Sequence, residues 1–338
     1  MIAVTDDWHH RVVVIDPRTK RIVWQYGHFG VASSAAGYLS KPDGLDLLPA
    51  QRPAAGRQAA HREHLSVTRI GSLPAPASRM AATVLPGGRV LLLGGLVGGT
   101  SSDQILLGPP SALQPAGRLP AATHDAAAAF TAGAAYLFGG GQAASTDAVV
   151  RIDPDTGAAR AAGKLGEPLS DLGAATVDGH VYLVGGYTGS RFATAVLLFR
   201  PGRAPVLVAR LPKGLRYAGV AALGGRIYVA GGLETTGESS IVYAVDPAAH
   251  SVKPVATLPA PVAHAALAAL GSELYLVGGR SESGKALDEV LRIDSQSGQV
   301  SRAGRLPQAL EDAAAVAVGG RIVVFGGAGS DAVLALRP

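Results

Sequence analysis

Six short segments of this 338-residue chain set polar, mostly charged or aromatic residues ahead of runs rich in alanine and other small residues. They are Ser78-Arg79, His124-Asp125, Ser170-Asp171, Arg216-Tyr217, His264 and Glu311-Asp312. A second set follows doubled glycines: Gln142, Tyr187, Arg191, Glu234, Arg280 and Glu282. Arg79, Arg216 and Arg280 offer planar forked donors, which suit a carboxylate. His124, His264, Asp125, Asp171 and Asp312 are residue types that serve as general acids and bases. The same residues have a second reading, as polar loop side chains that cap strands and pair with one another. Both readings stay open in the sequence, and no local motif assigns a catalytic residue.

Other chemistries find no residues to carry them. The chain has no cysteine, which removes disulfides, thiolate metal sites and cysteine nucleophiles. It has no asparagine, so N-glycosylation is excluded. The Gly-x-x-x-x-Gly-Lys spacing of Gly279, Gly284 and Lys285 is followed by Ala286 where a phosphate-binding loop needs Ser or Thr, and no serine nucleophile elbow occurs. His61, Glu63 and His64 match no zinc pattern, and no metal or cofactor is expected. The net charge of +5 comes mostly from scattered arginines, with no basic stripe to track phosphates, so nucleic acid is not an expected partner. The Ala126–Phe138 window is too short to span a bilayer and is broken by Gly133. The start carries no basic region followed by an apolar core, so no signal peptide is expected. That leaves a bacterial cytoplasm, or export as part of a longer protein, the bacterial assignment resting on abundant Ala, Gly and Arg.

The elements that would position these residues are legible from one dipeptide. Gly94-Gly95, Gly139-Gly140, Gly185-Gly186, Gly231-Gly232, Gly278-Gly279 and Gly326-Gly327 recur at steps of 45, 46, 46, 47 and 48 residues. Six copies at near-constant spacing mean six copies of one unit. In the fourth copy Tyr217–Leu223 is a strand of small and apolar residues, Gly224-Gly225 a hairpin turn and Arg226–Ala230 a second strand. Ile241–Val245 reads as a third strand ending at Asp246-Pro247, and Val252–Thr257 as a fourth ending at Leu258-Pro259. Four antiparallel strands per unit describe a propeller blade. Tyr136, Tyr182, Tyr228 and Tyr275 recur in the second strands and are expected to pack between blades.

The small first strand, the (I/V)Y(L/V)(V/A)GG second strand, the Asp-Pro turn and the closing Leu-Pro resemble the kelch repeat over residues 64–338. The resemblance implies an all-β, six-bladed kelch-type β-propeller. It also implies that the two sets of polar residues lie on one face, around the central channel. The tryptophan that kelch units carry in the fourth strand is missing; Ala158, Val206 and Val252 stand there, and Trp8 and Trp24 lie outside the repeats. The last unit ends without a fourth strand, and Leu65–Ile70 has fourth-strand character. An N-terminal strand is therefore expected to close the last blade.

Residues 1–47 follow a different pattern, Arg11–Pro17, Arg21–Tyr26 and Leu39–Leu47, which resembles a single blade of an NHL or quinoprotein-like propeller. Residues 48–63 read as a linker. The blade could dock on a partner or be the remnant of a larger two-propeller protein; oligomeric state is open. The leading functional expectation is a binding module for a protein or glycan on the loop face, with loops Leu96–Ser102 and Leu233–Ser240 adding contacts. The alternative is an enzyme on a small acidic sugar, similar to bacterial kelch-like sialic acid mutarotases. A copper radical oxidase like galactose oxidase would need a cysteine the chain lacks.

Overall fold

The computed structural model describes residues 2–6, 9–29, 31 and 65–338. The chain divides into two units, Met1–His61 and Arg62–Pro338. The second is a six-bladed propeller with four antiparallel strands per blade. Blade 2, for example, runs Ala127–Thr131, Ala134–Phe138, Ala148–Ile152 and Ala159–Lys164 in spatial order. Its first hairpin turns on Ala132 and Gly133 at φ 48° and 73°, the two left-handed residues that match the twist of the flanking strands. Three of the third strands end in aspartate turns. Asp153 Oδ1 accepts from the amides of Asp155 and Thr156, and Asp246 and Asp294 repeat the device.

The doubled glycines fasten each blade to the next. The second glycine of every pair donates its N–H to a carbonyl of the following blade: Gly95 to Thr123, Gly140 to Leu169, Gly186 to Leu215, Gly232 to Val262, Gly279 to Leu310 and Gly327 to Ala77. The first glycine leaves no room for a side chain. A Cβ on Gly139, at φ 60°, would lie 2.0 Å from the Leu169 carbonyl oxygen.

The apolar core lies between blades rather than at the centre. One cluster joins Tyr136 and Phe138 of blade 2 to Leu183 and Phe199 of blade 3, with the Phe138 and Phe199 rings edge to face at 4.8 Å. Tyr136, Tyr182, Tyr228 and Tyr275 are all buried, as packing residues. The missing tryptophans leave fourth strands that are largely exposed, as at Val206.

The ring closes through its two ends. Ser66–Ser72 pairs antiparallel with Ala332–Arg337, with Leu336 opposite Val67 and Val333 opposite Gly71. Leu336 is fully buried beside Leu65. The closing strand thus gives the sixth blade its fourth strand and covers an edge that would otherwise be open.

In the first unit, Ile2–Asp6, Arg11–Asp16 and Arg21–Gly27 form a three-stranded antiparallel sheet in sequence order. The blade-like segment over 39–47, the linker over 48–63 and the group His61, Glu63 and His64 lie outside the described residues.

Candidate functional site

Six residues, one per blade, form the inner rim of the propeller. Arg79, Asp125, Asp171, Tyr217, His264 and Asp312 all stand in the left-handed region, at φ between 54° and 59°. Each donates its backbone N–H to the carbonyl of the rim residue in the preceding blade. Arg79 donates to Asp312, Asp125 to Arg79, Asp171 to Asp125, Tyr217 to Asp171, His264 to Tyr217 and Asp312 to His264, at 2.7 to 3.2 Å. The result is a closed circle of six main-chain hydrogen bonds. Aspartate and histidine tolerate this conformation better than most residues; arginine and tyrosine adopt it less often.

The side chains form a second circle. Arg79 donates from Nε to Asp312 Oδ2 at 3.2 Å and from Nη1 to Asp125 Oδ2 at 3.0 Å. Arg216 Nη2 meets Asp171 Oδ2 at 2.7 Å and donates to the Tyr217 hydroxyl at 2.8 Å. Its guanidinium lies between the rings of Tyr187 and Tyr217, at 4.6 and 4.4 Å. His264, buried and stacked on Tyr217 at 3.8 Å, places Nδ1 2.6 Å from Asp312 Oδ1. Its Nε2 faces Arg280 Nη2. An arginine can only donate, so Nε2 accepts, and the hydrogen-bond network assigns the proton to Nδ1, which donates to Asp312.

Asp171 is buried, the Asp125 and Asp312 side chains are each 8% exposed, and the surroundings of Asp125 and Asp312 act in opposite directions. Burial and the neighbouring Asp171 push the Asp125 carboxyl up to about 8, against the pull of Arg79. Burial also works on Asp312, but the hydrogen bond from His264 and the charge and hydrogen bond of Arg79 outweigh it and hold Asp312 below the usual carboxylate range. Burial and the Arg79 charge lower His124, against Asp171 and Asp312. Burial, with Asp125 and Asp171, raises the Tyr217 hydroxyl.

The rim encloses a cavity of about 110 Å³, lined by the six rim residues and the six that follow them, Met80, Ala126, Leu172, Ala218, Ala265 and Ala313. Further along the inner strands lies a wider space of about 410 Å³, lined by Ala82, Ala128, Ala174, Ala222, Ala269 and Ala315 among others. The mouth is therefore polar and narrow, and it is smaller than the roughly 300 Å³ at which enclosed small-molecule pockets begin.

The sequence-predicted residues separate into three groups. Arg79, Asp125, Asp171, Tyr217, His264 and Asp312 line the mouth. His124, Arg216, Arg280 and Tyr187 stand behind them, through the contacts given above and the His124 Nε2 to Asp125 Oδ2 approach of 3.5 Å. Arg191 and Glu234 are engaged elsewhere, with Glu167 and Lys213, each at 2.6 Å, and neither lines the mouth. Of the three arginines that suit a carboxylate, Arg79 lines the cavity and is paired with two aspartates, while Arg216 and Arg280 are not among the lining residues. Ser101 was not singled out by sequence. Its Oγ lies 2.8 Å from His124 Nδ1, on a hairpin that pairs Leu96 with Ser101. Only the position of that hairpin after Gly94-Gly95 hinted at it.

Residues 214–259 match the family model described as the Kelch motif. No curated protein matches the chain in sequence. Among solved structures that match, one titled "Structure of YjhT" has a TM-score of 0.68 at 16% identity, covering 79% of this chain and 96% of that one. At that identity the likeness speaks for the fold. With six blades and the doubled-glycine staple in each, the chain is a six-bladed β-propeller whose fourth repeat matches the Kelch motif.

Proposed function

We propose that the propeller is a binding module whose channel mouth receives a polyhydroxylated ligand, the end of a carbohydrate. The observation that carries this reading is the charge balance of the rim. Arg79 and Arg216 stand against Asp171 and Asp312, while Asp125 keeps its proton up to about 8. A neutral ligand enters such a site without leaving a charge unpaired. An acidic ligand has to displace an aspartate from its arginine. Donors and acceptors stand side by side around the mouth, which suits hydroxyls that both donate and accept. Behind the rim, Arg216 Nε is buried with no hydrogen-bond partner among the described residues, and Glu311 Oε2 is buried with Arg280 Nε 3.7 Å away.

The test is saturation-transfer NMR with neutral hexoses, amino sugars and hexuronic acids. Binding of a neutral sugar that weakens in Tyr217→Phe and persists in Arg191→Ala supports the reading. Silence across the panel, with a peptide captured on the loop face instead, contradicts it.

A second reading draws on Asp125. Interconversion of sugar anomers needs an acid and a base, and a carboxyl that stays protonated at neutral pH beside Asp171 has the makings of the acid. Acceleration of anomer exchange by the wild type and not by Asp125→Asn would favour this mutarotase-like activity over binding alone.

A further inference from the structure

Ser101, His124 and Asp125 stand in line. Ser101 Oγ is 2.8 Å from His124 Nδ1, and Asp125 Oδ2 is 3.5 Å from His124 Nε2 on the opposite edge of the imidazole. We propose that these three residues form a nucleophilic site at the rim of the channel mouth that transfers the acyl group of carboxylic esters to water. The proposal goes beyond ligand binding and does not rest on it.

The framework around the three residues is fixed. His124 exchanges two main-chain hydrogen bonds with Gly141, both of 3.0 Å. Asp125 belongs to the closed main-chain circle of the rim. Ser101 is held in a hairpin, paired with Leu96 and turned by Gly98 and Gly99 at φ 57° and 78°. Sites on such elements keep their geometry better than sites on free loops. No other blade repeats the arrangement: the residues ahead of the other rim positions are Ser78, Ser170, Arg216, Ala263 and Glu311.

The protonation pattern suits the role. For Ser101 to donate, Nδ1 must accept, which leaves the His124 proton on Nε2, facing Asp125. His124 titrates below its ordinary range, so at neutral pH it is a free base able to accept a proton. The charged groups acting on it are Arg79, Asp171 and Asp312, with Asp125 next to it. Arg79 donates to the same Asp125 oxygen that lies opposite Nε2.

The steps balance without a further reactant. The Ser101 proton passes to His124 Nδ1 as Oγ bonds to the ester carbonyl carbon. The ester C–O bond breaks, and the alcohol leaves with the proton from Nδ1. Water then attacks the acyl-serine and gives a proton to Nδ1. The carboxylic acid departs as Ser101 Oγ takes that proton back. Ester and water become acid and alcohol.

The test is covalent labelling of the full chain with a fluorophosphonate, read by intact mass and peptide mapping, with p-nitrophenyl acetate hydrolysis alongside. The expected result is a single adduct on Ser101, with labelling and hydrolysis at least about 100-fold slower in His124→Gln and unchanged in Ser102→Ala. Labelling is also expected to be faster at pH 9 than at pH 6.5, because Asp125 is then ionised opposite Nε2. Mapping on the wild type decides the question even if Ser101→Ala fails to fold. An adduct on another residue, no adduct under conditions that label a known serine hydrolase, or equal rates in His124→Gln would overturn the proposal.

Discussion

Arg79 and Asp312 meet twice, across 233 positions of sequence. The Arg79 amide donates to the Asp312 carbonyl at 2.8 Å, and its side-chain Nε donates to the Asp312 carboxylate at 3.2 Å. This pair joins the first blade to the last on the channel side. The strand pairing of Ser66–Ser72 with Ala332–Arg337 joins the ends within the sixth blade. The candidate site and the closure of the fold thus share residues, and the first prediction follows from that sharing.

Asp312→Ala leaves His264 without a carboxylate and Arg79 with Asp125 alone. It is expected to cost about 3 kcal/mol in urea unfolding, the order seen when one partner of a buried ion pair is removed. Asp312→Asn, which keeps the shape and some of the hydrogen bonding, is expected to cost less. An unchanged unfolding midpoint in both variants would mean that the side-chain circle adds nothing to closure.

Stability should depend on pH through Asp125. Its folded carboxyl titrates near 8, against an ordinary value of 3.8, so between those values the folded state holds a proton that the unfolded state has released. Stability from this group therefore falls as pH rises from about 4 to about 8, by at most ~1.4 kcal/mol per pH unit, and levels off above. Asp312 works in the opposite sense. Its stabilisation is complete above the unfolded value and disappears as pH falls through its depressed folded value. Melting temperatures of wild type and Asp125→Asn from pH 5 to pH 8.5 check the first effect, and the variant should show the flatter profile.

The doubled glycine is predicted to matter through contact as well as conformation. Gly139→Ala and Gly133→Ala both put alanine at positive φ, at 60° and 73°. Gly133 has open space around it, so its substitution should cost about 1 kcal/mol. At Gly139 the new methyl meets the Leu169 carbonyl, and the expected loss is about 3 kcal/mol or more. Chemical denaturation of the two variants gives the comparison, and equal losses would contradict the staple.

Deleting residues 65–72 removes the strand paired to Ala332–Arg337 and uncovers Leu336. The expected outcome is an aggregating protein by size-exclusion chromatography. A monomer with an unchanged melting temperature would sink the closure account.

The architecture was legible because its signals are periodic. The doubled glycine, the closing Leu-Pro and the small first strand each recur, and counting from them located the rim residues. Side-chain direction was not legible. Arg79, Arg216 and Arg280 look alike in sequence, yet Arg79 stands in the cavity wall, Arg216 lies between two tyrosines, and Arg280 faces His264. The difference comes from register: Arg79 occupies the left-handed rim position itself, and Arg216 stands one residue before it. Ser101 was illegible for another reason. Its link to His124 joins a hairpin of one blade to the rim of the next, and no spacing within a repeat encodes it.

Recognition of a polyhydroxylated ligand by the rim of the mouth is open to direct observation. Crystals of the full chain soaked in neutral hexoses and in hexuronic acids test it most directly. Sugar density is expected at the mouth, in hydrogen-bonding contact with Arg79, Asp125 or Tyr217, with the neutral sugar bound at least as well as the acid. A mouth that stays empty of sugar at saturating concentration, or sugar bound only on the outer strands, would contradict it.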